Sequence, residues 1–244
     1  MGRGNSDARP VRCLLALDAA GAACSAALWR DGRIVARRFA AMRRGQSEHL
    51  VPMIEEVMGA ADTTYDSLDA LAVTVGPGGF TGVRIGLATA RGLALALHRP
   101  LIGISNFEAV AAAVPAAERT GRAGRILAVA LESKRHELYV QAFAPPGDDD
   151  LRPLAPGAAV PPDELDAWLP AGPVLLAGDA APAALAALQA AQRDVYAASS
   201  PGLADAGQVA ALAAARPWPL PSAEMPQPLY LRAPDVMPAP AAVP

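Results

Sequence analysis

The sequence predicts an α/β protein made of two related half-domains, of which the second is reduced. Three consecutive strands open the chain, and helices then alternate with strands as far as Val114. A second series of strands begins near Arg125, in a region rich in alanine and proline. Strands that alternate with helices are typical of sheets covered by helices.

The first three strands are predicted from apolar runs, Arg12 to Leu17, Ala22 to Trp29 and Arg33 to Phe39. The last two are separated by Asp31-Gly32, a pair that favours the tight turn of a β-hairpin. The chain therefore opens with three strands that are neighbours in sequence.

A helix is predicted next, with Ser47 as its N-cap. Pro52 leaves its start open by one turn, because proline is tolerated only in the first turn of a helix. Six apolar residues recur at intervals of three and four and form one stripe: Leu50, Met53, Ile54, Val57, Met58 and Ala61.

The rest of the first half alternates regularly. It reads as a strand over Asp69 to Val75, a helix from about Gly82 to Leu97, a strand over Leu101 to Ser105 and a helix from about Asn106 to Val114. The resulting order, βββαβαβα, is that of the half-domain in actin, hexokinase and Hsp70-type proteins. We therefore predict an actin-like, Hsp70-like (ASKHA) fold.

The second half has weaker signals. Residues 145 to 162 are rich in Pro, Gly and Asp and are predicted to form a surface loop. From Pro217 onward prolines recur every few residues, which predicts an extended tail in which only Pro228 to Arg232 is held. The candidate strands and helices are Arg125 to Glu132, Glu137 to Phe143, Pro173 to Ala177, Ala181 to Ala191 and Leu203 to Ala215.

These patterns divide the 244 residues into four segments. Residues 1–10 are a flexible N-terminal tail, 11–117 an actin-like half-domain, 118–232 a reduced second half-domain and 233–244 a Pro-rich tail. With 52% hydrophobic residues, the chain can bury one large core or two moderate ones.

Composition also limits the function classes. The formal net charge of -3 argues against a broad nucleic-acid-binding surface. The apolar stretch Leu87 to Leu97 is shorter than the roughly 20 residues of a membrane span, and the N-terminus has no apolar signal region, so we expect a cytoplasmic protein.

Cys13 and Cys24 lie in strand-like runs and are expected to be buried free thiols.

A glycine-dense turn at residues 76 to 82 leads from a strand into a helix. Such a turn can bind phosphate, but this one lacks the Lys-Ser/Thr pair of a P-loop and does not fit the Gly-x-Gly-x-x-Gly fingerprint. On the first hairpin, Asp18 is followed by Ala19 and Ala20, where actin-like kinases place hydroxyl groups. We therefore predict a tight strand-to-helix corner.

The helix after the turn carries small residues at every fourth position: Gly82, Gly86, Ala90 and Ala94. A face with so little side chain allows close approach of another element. That element is either part of the same chain or a helix of another subunit, and the sequence leaves both readings open.

No catalytic, cofactor-binding or metal-binding residue is predicted. His49, His98 and His136 do not form a pair spaced for one helical face, and no nucleophile has a recognisable base. The charged residues between Glu132 and Glu137 read either as a solvated hairpin turn or as a binding patch.

Several motifs resemble the TsaB (YeaZ) family, the dimerisation subunits of the bacterial tRNA threonylcarbamoyladenosine machinery. Gly76 to Gly86 is similar to the family's most specific motif, GPGSFTGxRIG, and Ser47 to Pro52 is similar to its first helix start. Glu132-Ser133-Lys134 stands where the family commonly has Asp-Ala-Arg, and Pro228 to Arg232 resembles its C-terminal motif. The opening strands, Leu15 to Leu28, are also similar.

The chain departs from the family at Ala19 and Ala20, which replace hydroxyl residues, at Gly79, which replaces a serine, and at Gln46, which replaces a common histidine. The catalytic paralogue TsaD carries two histidines four residues apart near its corresponding helix, whereas this chain has only His49 there. The resemblance therefore implies a subunit without its own catalytic site.

The resemblance implies a scaffold that pairs with a TsaD-like catalytic subunit as a heterodimer, joined by a TsaE-like ATPase. It also implies a homodimer when the partner is missing, contact with tRNA only through the complex, and no membrane. An ATP-dependent kinase of the actin-like superfamily is the alternative. In the family the two helices near 47–60 and 82–97 form the interface, which places there Leu50, Met53, Ile54, Val57, Gly82, Arg84, Ile85, Gly86, Thr89, Ala90 and Leu93.

Overall fold

Two five-stranded sheets with the same internal order form the centre of the computed structural model, which describes residues 12–121, 125–144, 151–200, 202–221 and 224–232. The first sheet has the order β3-β2-β1-β4-β5. Its strands are β1 (Cys13–Asp18), β2 (Ala23–Arg30), β3 (Arg33–Ala41), β4 (Ala70–Thr74) and β5 (Leu101–Ile104).

The pattern of each strand follows from its place in this sheet. Strands β1 and β4 are central, parallel to each other and buried along their whole length, and such strands read as continuous apolar runs. Strand β3 lies at the edge and carries exposed arginines, which protect an edge from unwanted pairing. Between β2 and β3, Asp31 and Gly32 both have positive φ, as the predicted hairpin turn requires.

Three helices belong to the first half: α1 (Gln46–Ala60), α2 (Phe80–Leu97) and α3 (Asn106–Ala113). The prediction of Ser47 as an N-cap is wrong, because Gly45 at φ 96° leads the chain into α1 and provides no side-chain cap. Pro52 lies inside α1. Helix α3 begins with a capping box in which Ser105 and Glu108 satisfy each other's backbone N–H groups.

The second half repeats the first with shorter elements. Its sheet has the order β10-β9-β6-β7-β8, and strand β8 falls inside the segment that was predicted to be a loop. The elements are α4 (Ala116–Thr120), β6 (Ile126–Glu132), β7 (Leu138–Phe143), β8 (Ala158–Val160), α5 (Leu165–Trp168), β9 (Val174–Ala177), α6 (Ala181–Ala190), β10 (Val195–Ala197) and α7 (Ala206–Ala215).

The two halves are joined through α3 and α7. Helix α7 packs on β1 and β2 of the first sheet, while α3 packs on β6 of the second. Asp205 caps α7 by accepting from the N–H of Gly207 at 2.7 Å, and the hydroxyl oxygen of Ser25 accepts from the N–H of Ala206 at 2.9 Å. The repeated order and this exchange of helices confirm the predicted actin-like α/β fold with a reduced second half.

Other predictions have mixed outcomes. Cys13 and Cys24 are buried free thiols, as expected. The held part of the C-terminal tail is longer than predicted, because Pro226 already accepts a hydrogen bond from Arg91. The tails at residues 1–10 and 233–244 lie outside the described residues.

Candidate functional site

The glycine turn before α2 is a joint between that helix and the β1–β2 hairpin. A Cβ on Gly78 would collide with the carbonyl oxygen of Ala20, and one on Gly82 with the carbonyl oxygen of Ala19. Glycine at these two positions therefore lets the hairpin lie directly on the start of α2.

The joint uses groups that a phosphate site would need to leave free. The N–H of Gly79 donates to the carbonyl oxygen of Ala20 at 2.8 Å, so it points into the chain. Phosphate sites at helix starts rely on such N–H groups pointing at the ligand. The geometry therefore supports a strand-to-helix corner.

Asp18 fixes the other side of this joint. Its Oδ1 accepts from the hydroxyl of Thr74 at 2.6 Å and from the N–H of Ala20 at 3.2 Å. The pKa of Asp18 is raised to about 6, because burial and, to a smaller extent, the charge of Asp205 raise it more than the two hydrogen bonds lower it. Its second oxygen has no partner among the described residues. Asp18 therefore ties β1 to β4 and holds the hairpin in place.

A cleft of about 990 Å³ opens beside the joint. One wall comes from the β1–β2 hairpin, the start of α1 and the glycine turn. The opposite wall comes from the β6–β7 turn and from residues 202–204. The cleft thus lies between the two halves, and no sequence motif marks it because eight separate chain segments form it.

Charged residues line the mouth of this cleft. The basic residues are Arg43, Arg44, Lys134, Arg135 and Arg232, and the acidic ones are Glu132 and Asp179. Burial raises the pKa of Asp179, and its Oδ1 accepts from the N–H of Glu132 at 2.9 Å. Of the two readings left open for the Glu132–Glu137 turn, its position in the cleft wall favours a binding patch.

The C-terminal segment, residues 225–232, runs along α2 to the cleft. The N–H of Leu229 donates to the carbonyl oxygen of Val75 at 2.7 Å, and Arg91 donates to that of Pro226 at 2.6 Å. At its end, Arg232 forms a 2.8 Å ion pair with Glu137 of the second half. The segment therefore connects both halves beside the cleft.

Phe80, Arg84 and Tyr230 hold this segment on α2. The rings of Phe80 and Tyr230 stack with centroids 5.6 Å apart. The guanidinium of Arg84 lies 3.6 Å from the Phe80 centroid and donates through Nε to the Tyr230 hydroxyl at 3.1 Å. Two residues of the glycine motif thus bind the C-terminal motif.

The predicted interface residues form a buried group and an accessible group. Leu50, Ile54 and Val57 of α1 are buried against their own sheet, as are Gly86 and Ala90 of α2. A Cβ on Gly86 would lie 3.5 Å from Val73 and 3.7 Å from the Cβ of Ala19, so the stripe of small residues faces inward. A partner cannot reach these side chains, because the chain itself covers them.

The other predicted interface residues are accessible. Arg84 is exposed, and a group of half-buried residues borders the outer surface of α1 and α2: Met53, Gly82, Ile85, Thr89 and Leu93.

A second stripe of small residues faces outward from α2. Ala88, Gly92 and Ala96 are exposed at intervals of four, and a Cβ on Gly92 would meet nothing within 4 Å. Large apolar side chains are also exposed on both helices, Val51 of α1 at 51% and Leu95 of α2 at 64%. We call the surface made by Val51, Ile85, Ala88, Gly92 and Ala96 the outer α1–α2 face.

Helix α2 also meets the length and hydropathy of a membrane span, with 18 residues and a mean hydropathy of 1.2. The apolar stretch predicted from the sequence begins only at Leu87 and is therefore shorter than this helix. A core helix of a soluble protein passes the same test, and Val83, Leu87 and Ala94 pack in the core of the first half. Within the described ranges, α2 is therefore no clear membrane span.

Among the residues that the structure describes, no group of three or more His, Cys, Asp or Glu could hold a metal ion. His136 lies 3.9 Å from Asp163 on an exposed surface.

Comparison with known proteins gives partial and full-length matches. A family model described as TsaD, tRNA N6-adenosine threonylcarbamoyltransferase, matches residues 39–150. The tRNA threonylcarbamoyladenosine biosynthesis protein TsaB of Escherichia coli is 40% identical over 126 residues, 52% of this chain and 52% of that protein. The chain thus spans about half the length of the first curated relatives that it matches.

Two further matches cover nearly the whole chain. An uncharacterised protein of Mycobacterium bovis is 31% identical over 232 residues, which are 93% of this chain and 95% of that protein. The solved structure of YeaZ from Pseudomonas aeruginosa has a TM-score of 0.71 at 27% identity, covering 90% of this chain and 100% of that one. The similarity therefore includes both half-domains.

Proposed function

Because the chain belongs to the TsaB (YeaZ) family, we propose that it is a non-catalytic scaffold and dimerisation subunit of the complex that installs threonylcarbamoyl on N6 of an adenosine beside the tRNA anticodon. The catalytic subunit is a TsaD-like protein, and a TsaE-like ATPase joins the assembly. The complex works in the cytoplasm, and the chain forms a homodimer when its partner is missing.

The outer α1–α2 face is the observation that carries this proposal. It presents apolar and small side chains on the outside of two long helices, and Gly92 leaves open space above the middle of α2. A surface of this kind lets a helix of another subunit approach closely, and exposed apolar patches mark interaction sites. We therefore place the partner on this face.

Buried hydrogen bonds support a structural role for the glycine turn at residues 76 to 82. The N–H of Gly79 and the carboxylate of Asp18 are both engaged inside the joint. They hold α2 in a fixed position on the sheet, which presets the outer face for docking. Preorganisation of this kind reduces the entropy cost of association.

Co-expression with the TsaD-like protein of the same genome tests the proposal. Size-exclusion chromatography with light scattering is expected to show a single species that contains both chains. The complex is then reconstituted with the TsaE-like ATPase, ATP, threonylcarbamoyl-adenylate and tRNA. Modification of the tRNA is expected to require this chain. Separate elution of the two chains, or full modification without this chain, would contradict the proposal.

A further inference from the structure

Basic side chains from both halves converge at the mouth of the cleft. Arg43 and Arg44 come from the segment between β3 and α1, and Lys134 comes from the β6–β7 turn on the opposite wall. The side chain of Arg43 is 86% exposed and lies 4.0 Å from Glu132, a distance too long for a strong pair. The other acidic residue, Asp179, is turned toward the backbone N–H of Glu132.

The β6–β7 turn positions Lys134 so that its side chain reaches across the cleft. Lys134 adopts a left-handed conformation with φ 61°, and the Ser133 hydroxyl accepts from the next N–H, that of Arg135, at 3.1 Å. Its Nζ lies 3.5 Å from the position that a Cβ of Gly79 would take. The only lysine of the chain therefore reaches the start of α2 on the far wall.

The basic residues continue along the edge strand that leads to the cleft. Residues 30–44 contain six arginines and one aspartate, in a chain whose net charge is -3. Arg33 has no ion pair with any described residue, and Arg37 stays 51% exposed although it pairs with Asp205. At about 3.3 Å per residue, β3 extends this line of charge by roughly 30 Å.

We propose that this basic lip, defined as Arg33, Arg43, Arg44 and Lys134, contacts the phosphate backbone of tRNA in the assembled complex. The proposal rests on the proposed function. Guanidinium groups bind phosphate in a bidentate manner, and a line of charge longer than a mononucleotide fits a polymer. Four contacts give weak binding alone, since affinity grows with the number of phosphates neutralised.

The test measures binding of an unmodified tRNA transcript to the complex of this chain with its TsaD-like partner. Arg43→Gln/Arg44→Gln is expected to weaken binding on the order of tenfold and to reduce the salt slope by about 2. Lys134→Gln alone is expected to reduce the slope by about 1. The control is Arg152→Gln, because this exposed residue adjoins β7 at the end away from the cleft and from Arg33.

The outcomes separate the two proposals. If the double variant co-elutes with the partner but binds tRNA as tightly as the wild type, the lip is wrong while the scaffold function stands. If the control loses as much tRNA affinity as the double variant, the basic lip is not the tRNA contact. If the double variant also loses affinity for ATP in parallel with tRNA, the assignment of the lip to an RNA backbone is wrong. If wild-type chains do not co-elute, the scaffold proposal fails. The lip is then tested on the isolated chain at low salt, where Arg43→Gln/Arg44→Gln is expected to cause the same loss of tRNA affinity.

Discussion

The N–H of Gly79 donates to the carbonyl oxygen of Ala20 at 2.8 Å. This bond joins the first hairpin, where actin-like kinases place hydroxyl groups, to a glycine turn of the kind that can bind phosphate at a helix start. Because the hairpin and the glycine turn bind each other, the glycine motif fixes the position of α2. The outer α1–α2 face depends on that position.

Replacement of Gly82 by alanine is expected to destabilise the protein. Helix propensity alone predicts a gain of up to about 1 kcal/mol, but the added Cβ would collide with the carbonyl oxygen of Ala19. Overpacking of this kind costs about 1–3 kcal/mol. Urea denaturation measures the difference, and an increase in the free energy of unfolding would contradict the role of the joint.

Replacement of Gly92 by alanine is expected to have the opposite effect. This glycine lies in the middle of α2 with open space around its Cα. The variant should gain about 0.5–1 kcal/mol in the free energy of unfolding, measured by the same denaturation. A lower free energy of unfolding would show that the space beside Gly92 is not open.

Tyr230→Ala is expected to release the C-terminal segment from α2. The variant loses the stacking on Phe80 and the hydrogen bond from Arg84, which together contribute about 1–2 kcal/mol. Limited proteolysis should then cut within residues 225–232 faster than in the wild type. Tyr230→Phe keeps the ring and should show a smaller change, and equal cleavage of all three proteins would exclude this anchor.

Asp18 is expected to make stability fall as pH rises. Its pKa in the folded chain is raised from 3.8 to about 6, so the folded state binds the proton more tightly than the unfolded state. The stabilisation is complete below about pH 4 and is lost as pH rises through about 6, by about 3 kcal/mol in total. The difference in the free energy of unfolding between wild type and Asp18→Asn should follow this curve, whereas a constant difference would contradict it.

The first half was predictable because its patterns are strong. Strand β1 and strand β4 are buried on both faces and read as apolar runs, and α1 has a clear stripe. Strand β8 was missed because it has only three residues in a region rich in Pro and Gly. Such short strands are defined by their neighbour, here β7, rather than by their own sequence.

The inward face of α2 could not be identified from the sequence. Gly82, Gly86 and Ala90 form one stripe of small residues, and Ala88, Gly92 and Ala96 form another. Both satisfy the spacing for close helix approach, so only the contacts with Ala19 and Val73 show which stripe packs inside. The cleft was equally hidden, because Arg43 and Lys134 are 91 residues apart in sequence.

Docking on the outer α1–α2 face is tested most directly by Gly92→Phe in co-purification with the TsaD-like partner. The control is Ala186→Phe, which places the same ring on the exposed side of α6, the equivalent helix of the second half. Both variants are expected to keep the wild-type circular dichroism spectrum. Gly92→Phe should abolish co-purification while Ala186→Phe retains it. Retention of the partner by a folded Gly92→Phe variant would contradict the proposed interface.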